Sequence, residues 1–375
     1  MKHAALLLSL LFLTPALAAP LSQMNRAFAA LTELIPFLSD REKFLEKKNE
    51  ALIGEKIVEL QEAFRSAKHE KVLKQDLFAP SYALVNENLQ SSLESFRKGE
   101  KDFAHWRLRE ITTHCLDCHT RLPPSHTSSF QNGELSIDPS KFDTVYNLGL
   151  AQLIVRRYVD AKASFVRAID DAIIKKYFKD VELPFKQLLL IDTKVLKTPA
   201  DLVSKFGHYA GKKELPESVK RSVVAWRNRL QFWENSKYLG PGLATEKDVE
   251  EFTAAVLAPL KAKPSLEEGN DVDLLFASGL LSNFLFENPE SPKAPEISYW
   301  LGWAEKHLKR ENFFGSGDRF LKQCVRRYPK SPVAPKCLEE YKESVEFDFS
   351  GSSGTHIPAD VKKELEDLAK LLRKR

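Results

Sequence analysis

Methionine is nearly absent from this chain: of 375 residues only Met1 and Met24 carry it. Cysteine is scarce too, with four residues, too few for the disulfide scaffold of a small secreted domain. There is no strong excess of either charge. The 56 Lys and Arg against 52 Asp and Glu leave +4, no footing for nucleic-acid binding. Beyond the N-terminus no apolar run is long enough to span a bilayer, which excludes a polytopic membrane protein. A Gly-rich phosphate loop, a G-x-S-x-G elbow and an H-E-x-x-H zinc motif are all missing, and with them the common hydrolase and nucleotide chemistries. Alternating strand patterns are missing as well. What remains, 43% hydrophobic and 29% charged, is the composition of an ordinary globular chain long enough for two or three domains.

The N-terminus reads as an export signal. Met1-Lys2-His3 precede the apolar run from Ala4 to Leu13, followed by Pro15 and Ala16-Leu17-Ala18. A short basic region, about ten apolar residues and a small-residue cleavage site make a signal peptide of residues 1–19, cut after Ala18 or Ala19. No cysteine follows the cut to carry a lipid anchor. The mature protein is expected in the periplasm, with Met24 as its only methionine.

Apolar residues recur at helical spacing almost throughout, so the expected fold class is all-α. Residues 20–122 read as four helices. The first carries Met24, Phe28, Leu31 and Ile35, ended with help from Pro36. The second opens on a Ser39/Glu42 capping box and carries Ile53, Ile57, Leu60 and Phe64. The third follows Pro80-Ser81 and carries Tyr82, Val85, Leu89 and Phe96. The fourth carries Ala104, Leu108, Ile111, Cys115, Cys118 and Leu122, stopped by Pro123-Pro124. Short connections predict an up-down four-helix bundle. Residues 123–142, rich in Pro, Ser and Thr, read as a linker.

Residues 143–349 read as a helical repeat array. Pro289-Glu290-Ser291-Pro292-Lys293-Ala294-Pro295 returns as Pro329-Lys330-Ser331-Pro332-Val333-Ala334-Pro335, a period of 40 residues suited to helix–helix corners. Leu148-Gly149 with Ala161, Phe165 and Ala168, and again Leu301-Gly302 with Phe320, resemble tetratricopeptide repeats. The match fails between residues 175 and 270. Residues 350–375 read as a Gly/Ser linker, Ser350 to Thr355, and an amphipathic helix, Ala359 to Arg373.

The chemistry sits in Cys115-Leu116-Asp117-Cys118-His119, which has the C-x-x-C-H spacing of covalent haem c attachment. Two thiols one helical turn apart reach the two vinyl groups of one porphyrin edge, and the next residue turns its imidazole to the iron. Three other uses of such a motif remain open. A thioredoxin-like pair wants its thiols at a helix N-terminus, not a C-terminus. A zinc site of Cys115, Cys118 and one of His119, His114 or His126 lacks a second close ligand pair. A disulfide at this spacing inside a helix is strained.

A C-x-x-C-H motif near the end of a fourth helix resembles the cytochrome c′ family and its four-helix relatives. The resemblance covers about 100 residues and rests on helix order and motif position. It implies one haem at one end of the bundle, His119 as proximal ligand, and Arg121 near the propionates. It also implies a distal Met from the start of helix one, which is Met24. The alternative is a core methionine and an open iron site. His69 is a second distal candidate. His105 lies too many turns before His119, and His114 and His126 are expected at the surface. Phe28, Phe78 and Tyr82 are candidates to wall the haem. Four-helix cytochromes often dimerise, a surface for which the appended domain competes.

Cys324 and Cys337 flank the second Pro corner and are expected to pair. Trp226, Leu230, Phe232, Trp233 and Tyr238 read as helix packing rather than a groove. The expected function is electron transfer by an exported monohaem cytochrome, its repeat domain docking a protein partner, rather than an enzyme. The alternative is a periplasmic scaffold whose haem is structural or binds a small gas such as NO or CO.

Overall fold

The computed structural model describes residues 23–124, 137–240, 242–263, 267–310, 313, 315–352 and 354–373. The expected signal segment, His126 and most of the expected linker lie outside these residues, as does the side chain of His69. The chain is all-α in character. Among the described residues the strands are two-residue stubs, β1 (Ser350–Gly351) and β2 (Gly354–Thr355), paired antiparallel. The expected Gly/Ser linker is therefore a tight hairpin.

The first helices are α1 (Gln23–Leu38), α2 (Arg41–Leu45), α3 (Glu50–Ser66), α4 (Ala79–Arg97) and α5 (Lys101–His119). Helix α1 packs on α3, α3 on α4 and α4 on α5. The stripes expected from spacing are the buried faces: Phe28, Leu31 and Ile35; Ile53, Ile57 and Leu60; Val85 and Leu89; Leu108, Ile111 and Cys115. Gly99, at φ +84°, turns the chain between α4 and α5, a backbone conformation that a side chain would strain.

Several local expectations are corrected. Helix α1 runs through Pro36 and ends at Leu38, two residues beyond the ring that removes one intrahelical donor. The Ser39/Glu42 capping box does not form. Asp40 is the N-cap, its carboxylate accepting from Lys43 N at 3.1 Å, while Ser39 Oγ donates back to Pro36 O. The expected second helix is split, with α2 separated from α3 by a 3-10 turn at Lys47–Asn49. Helix α5 ends at His119 rather than at Leu122.

The remainder comprises α6 (Val145–Ile154), α7 (Tyr158–Lys175), α8 (Glu182–Leu189), α9 (Pro199–Ala210), α10 (Glu217–Glu234), α11 (Glu246–Phe252), α12 (Ala258–Lys261), α13 (Asn270–Glu287), α14 (Ala294–Arg310), α15 (Gly317–Arg327), α16 (Ala334–Asp348) and α17 (Ala359–Arg373). Neighbours pack as pairs: α6 on α7, α9 on α10, α13 on α14, α14 on α15, α15 on α16. The two Pro corners are equivalent. Helices α14 and α16 both start at the Ala of the repeated heptapeptide, and Ser291 Oγ and Ser331 Oγ accept from the amides two residues on. A Cβ on Gly149 would stand 2.7 Å from the Phe165 ring, and one on Gly302 2.6 Å from Leu321, so glycine permits close helix contact at both places.

Where the repeat pattern fails, the helices carry wide turns. Helix α8 continues as a π-helix at Leu190–Val195, and another at Thr253–Leu257 joins α11 to α12. Such turns shift the helical phase, and a 3.6-residue template no longer fits. Helix α13 lies against the first of them: a Cβ on Gly279 would stand 2.1 Å from Lys194 O. In the aromatic stretch Trp226, Leu230, Trp233 and Tyr238 are packed inward, while Phe232 is exposed, contrary to the packing expected of it. Trp226 and Trp233 are buried and donate to Asp271 at 2.6 Å and Asp273 at 2.8 Å. Cys324 and Cys337 form a disulfide between α15 and α16. No helix among the described residues is long and apolar enough to cross a membrane.

Candidate functional site

The C-x-x-C-H motif occupies the last turn of α5 and faces a cavity of about 280 Å³, the scale at which small-molecule pockets begin. Cys115, Cys118, His119 and Met24 all line it, with Phe64, Phe78, Tyr82 and Val85 among the apolar walls. Neighbour-on-neighbour packing puts the start of α1 at the end of α5, which is how residues 91 apart in sequence from Met24 to Cys115 come to share one cavity. Phe28 is buried but does not line it. Tyr82 donates from its hydroxyl to Phe64 O at 2.6 Å, turning its polar end into the wall.

The two thiols are unbridged. Burial pushes Cys115 up to about 12 and Cys118 up to about 11, the latter against the pull of Arg121. At neutral pH both are protonated, the reverse of what a thioredoxin-like nucleophile needs. Among the described residues no group of three or more His, Cys, Asp or Glu side chains is placed to hold a metal ion.

His119 is buried and its imidazole is neutral. Burial lowers it to about 4, Arg156 adds to the shift, and the Ile154 carbonyl opposes it. Its Nδ1 donates to that carbonyl, so the proton sits on Nδ1 and the lone pair on Nε2. A metal-ligating histidine uses this arrangement, one nitrogen held by a carbonyl and the other basic. Ile154 closes α6, so the second half of the chain orients the motif's histidine. Arg156 reinforces the joint: its Nη2 donates to Leu122 O at 3.0 Å and Pro123 O at 2.9 Å, and its Nε to Tyr158 Oη at 2.8 Å.

Asp117, between the two cysteines, turns away from the cavity into a buried polar cluster. It pairs with Arg121, accepts from Ser316 Oγ and stands 3.5 Å from Arg319 Nη1. Burial would raise its carboxyl, but Arg121 and Arg319 outweigh that and hold it below the usual carboxylate range. Ser316 N donates in turn to Glu305 at 3.2 Å, and Glu305 pairs with Lys194 at 2.7 Å, both side chains fully buried.

Three placements differ from expectation. Arg121 does not line the cavity: the Asp117 carboxylate, Leu77 O at 3.0 Å and the Phe320 ring hold it on the other side of α5. His114 is buried in the cavity wall rather than at the surface, and Arg319 Nη2 lies 2.8 Å from its Nδ1. Burial, with Arg319 next, lowers His114 to about 4. His105 hydrogen-bonds Leu38 O and lies away from the cavity, as its spacing requires. Sequence reasoning missed Ile154, Arg156, Ser316 and Arg319. No motif marks them, because their role comes from packing across 33 or more residues. The one local sign is Arg156 at φ +60°, a left-handed conformation rare for arginine, and it shows only in the fold.

Comparison with protein-family models, curated proteins and solved structures finds no match.

Proposed function

We propose that this protein is an exported, periplasmic monohaem c-type cytochrome that transfers electrons, with a helical repeat domain that docks a protein partner. In this reading α1 and α3 to α5 are a cytochrome c′-like bundle, and the helix pairs that follow are a tetratricopeptide-like array whose concave surface suits a partner segment. Cys115 and Cys118 would hold one haem c covalently, His119 would be its proximal ligand and Met24 its distal ligand. The observation that carries the reading is the meeting of two protonated thiols, a neutral imidazole held through Nδ1, and the single methionine of the described residues in one apolar cavity. Haem bound there supplies a one-electron couple, and Met/His ligation favours a raised potential. The protein's part is to hold His119 in one tautomer, keep the cavity dry with Phe64, Phe78 and Val85, and prevent the thiols from oxidising to a disulfide by consuming them in attachment.

The test is the visible spectrum of the purified full chain made in a host with c-type maturation, oxidised, reduced and reduced with CO, beside a denaturing gel stained for haem. Covalent haem with a low-spin spectrum unmoved by CO is expected. Covalent haem with a CO-sensitive high-spin spectrum makes Met24 a wall residue and turns the reading to gas binding. Absence of covalent haem sinks it.

A further inference from the structure

Five basic side chains belong to the buried set of the described residues: Arg121, Arg156, Lys186, Lys194 and Lys306. Four of them have an acid. Arg121 pairs with Asp117, Lys186 with Glu182, Lys194 with Glu305 and Lys306 with Glu340. Arg156, 2% exposed, has no carboxylate within ion-pair distance among the described residues. A buried cation without a counter-charge is costly, and an anion placed beside it offsets that cost. The guanidinium is also aimed. Nε and Nη2 are committed to Tyr158 and to the carbonyls of Leu122 and Pro123, Nη1 takes no part in those bonds, and Arg156 lines the same cavity as the two thiols. Its backbone sits in the left-handed region at φ +60°, so the fold holds this side chain in place at a conformational cost.

We infer that Arg156 is the carboxylate receptor of this cavity: the occupant carries an anionic carboxylate that takes the open side of the guanidinium. Under the haem reading, on which this version of the inference rests, the carboxylate is a haem propionate. The residue that receives it then comes from the turn between α6 and α7, in the repeat segment, and not from Arg121 beside the motif. The chemistry suits the geometry. A planar guanidinium offers directed donors to a carboxylate, and a charge-assisted bond out of water is the strong kind. Glu70, which also lines the cavity, makes no ion pair with Arg156 among the described residues, and burial raises its carboxyl.

The experiment has two arms that separate this inference from the haem reading. In the first, the full chain and its Arg156→Gln and Arg156→Lys variants are made with c-type maturation, and covalent haem and midpoint potential are measured. Expected is a lower potential in Arg156→Gln, because the oxidised iron loses a repelling positive charge, and recovery of most of the shift in Arg156→Lys. An unchanged potential in fully loaded Arg156→Gln overturns the inference. In the second arm, the full chain made without maturation factors is titrated with sodium octanoate and with octanol, followed by thermal melting. Octanoate is expected to bind the wild type at least about tenfold more tightly than it binds Arg156→Gln, with octanol indifferent to the change. The preference of the wild type for octanoate over octanol needs no variant, so a variant that fails to fold does not block the test. Wild type without covalent haem but with the octanoate preference refutes the haem reading and keeps the receptor. No haem and no preference overturns both.

Discussion

The Lys194–Glu305 pair gives the sharpest stability test. Both side chains are fully buried, 2.7 Å apart, and Glu305 also accepts from Ser278 Oγ and from Ser316 N. Ser316 then bonds Asp117 inside the C-x-x-C-H motif, so the pair anchors the second half of the chain on α5. Lys194→Met removes the ammonium and leaves a carboxylate with no counter-charge in the core. Breaking such a pair costs about 3–5 kcal/mol, against at most about 1 kcal/mol for an exposed one. In a chain of this size that lowers the melting temperature by roughly 4–7 °C. Glu305→Gln keeps an acceptor for Ser316 N and Ser278 but strands the ammonium, at a similar cost. The double variant strands neither charge and should recover at least about 2 kcal/mol relative to the sum of the singles. Urea unfolding of the four proteins at pH 7 closes the cycle. Single variants costing under about 1 kcal/mol each, or a strictly additive double, would refute the claim that this pair is a buried, mutually dependent unit. Under the proposed haem reading, if the network orients the motif, the single variants should also carry less covalent haem per chain than the double.

Gly279→Ala drives a methyl into Lys194 O, since the Cβ would stand 2.1 Å from that backbone oxygen. A cost above about 2 kcal/mol in urea melts is expected, and a neutral result would mean that α13 does not pack on the π turn at this distance. Lys197 is lowered by burial from 10.5 to about 8. The unfolded chain therefore binds more protons than the folded one between about pH 8 and 10.5, and wild-type stability gains from this group as pH rises through that window. Lys197→Met should be more stable than wild type at pH 7 by about 1–3 kcal/mol, the gain reduced by the lost bonds to Lys194 O and Val195 O, and the difference should shrink by pH 10. Equal stabilities at pH 7 would contradict the desolvation of this charge. In protein without haem, iodoacetamide at pH 8 should label Cys115 and Cys118 about a hundredfold more slowly than the same thiols in urea, since burial holds both protonated. Fast labelling of either would remove the argument against a redox pair.

Helical stripes and the motif were legible because their information is local. A 3.6-residue period shows which face is buried, and it marks Ile53, Ile57 and Leu60, and Leu108, Ile111 and Cys115, as inward, where the fold buries them. The repeated Pro corner shows a turn twice over, and both copies start their helices at the same residue. The capping of α2 escaped because Ser39, Asp40 and the residues after them offer competing acceptors, and backbone angles choose among them. His114 escaped because a polar residue beside a motif carries no mark of the arginine that covers it, and Arg319 is 205 residues away.

By itself the sequence determined the helices, the two thiols with their neighbouring histidine, and a methionine at the right end of α1. Each of these follows from spacing within one or two turns, or from chain order in neighbouring helices. Only the tertiary structure decided what surrounds them. Helices α6 and α15 close on the end of α5, and carbonyl, guanidinium and hydroxyl groups from the second half hold His119, Leu122 and Asp117. Such contacts depend on how whole helices dock. Docking is set by the summed fit of many side chains, which no local pattern records.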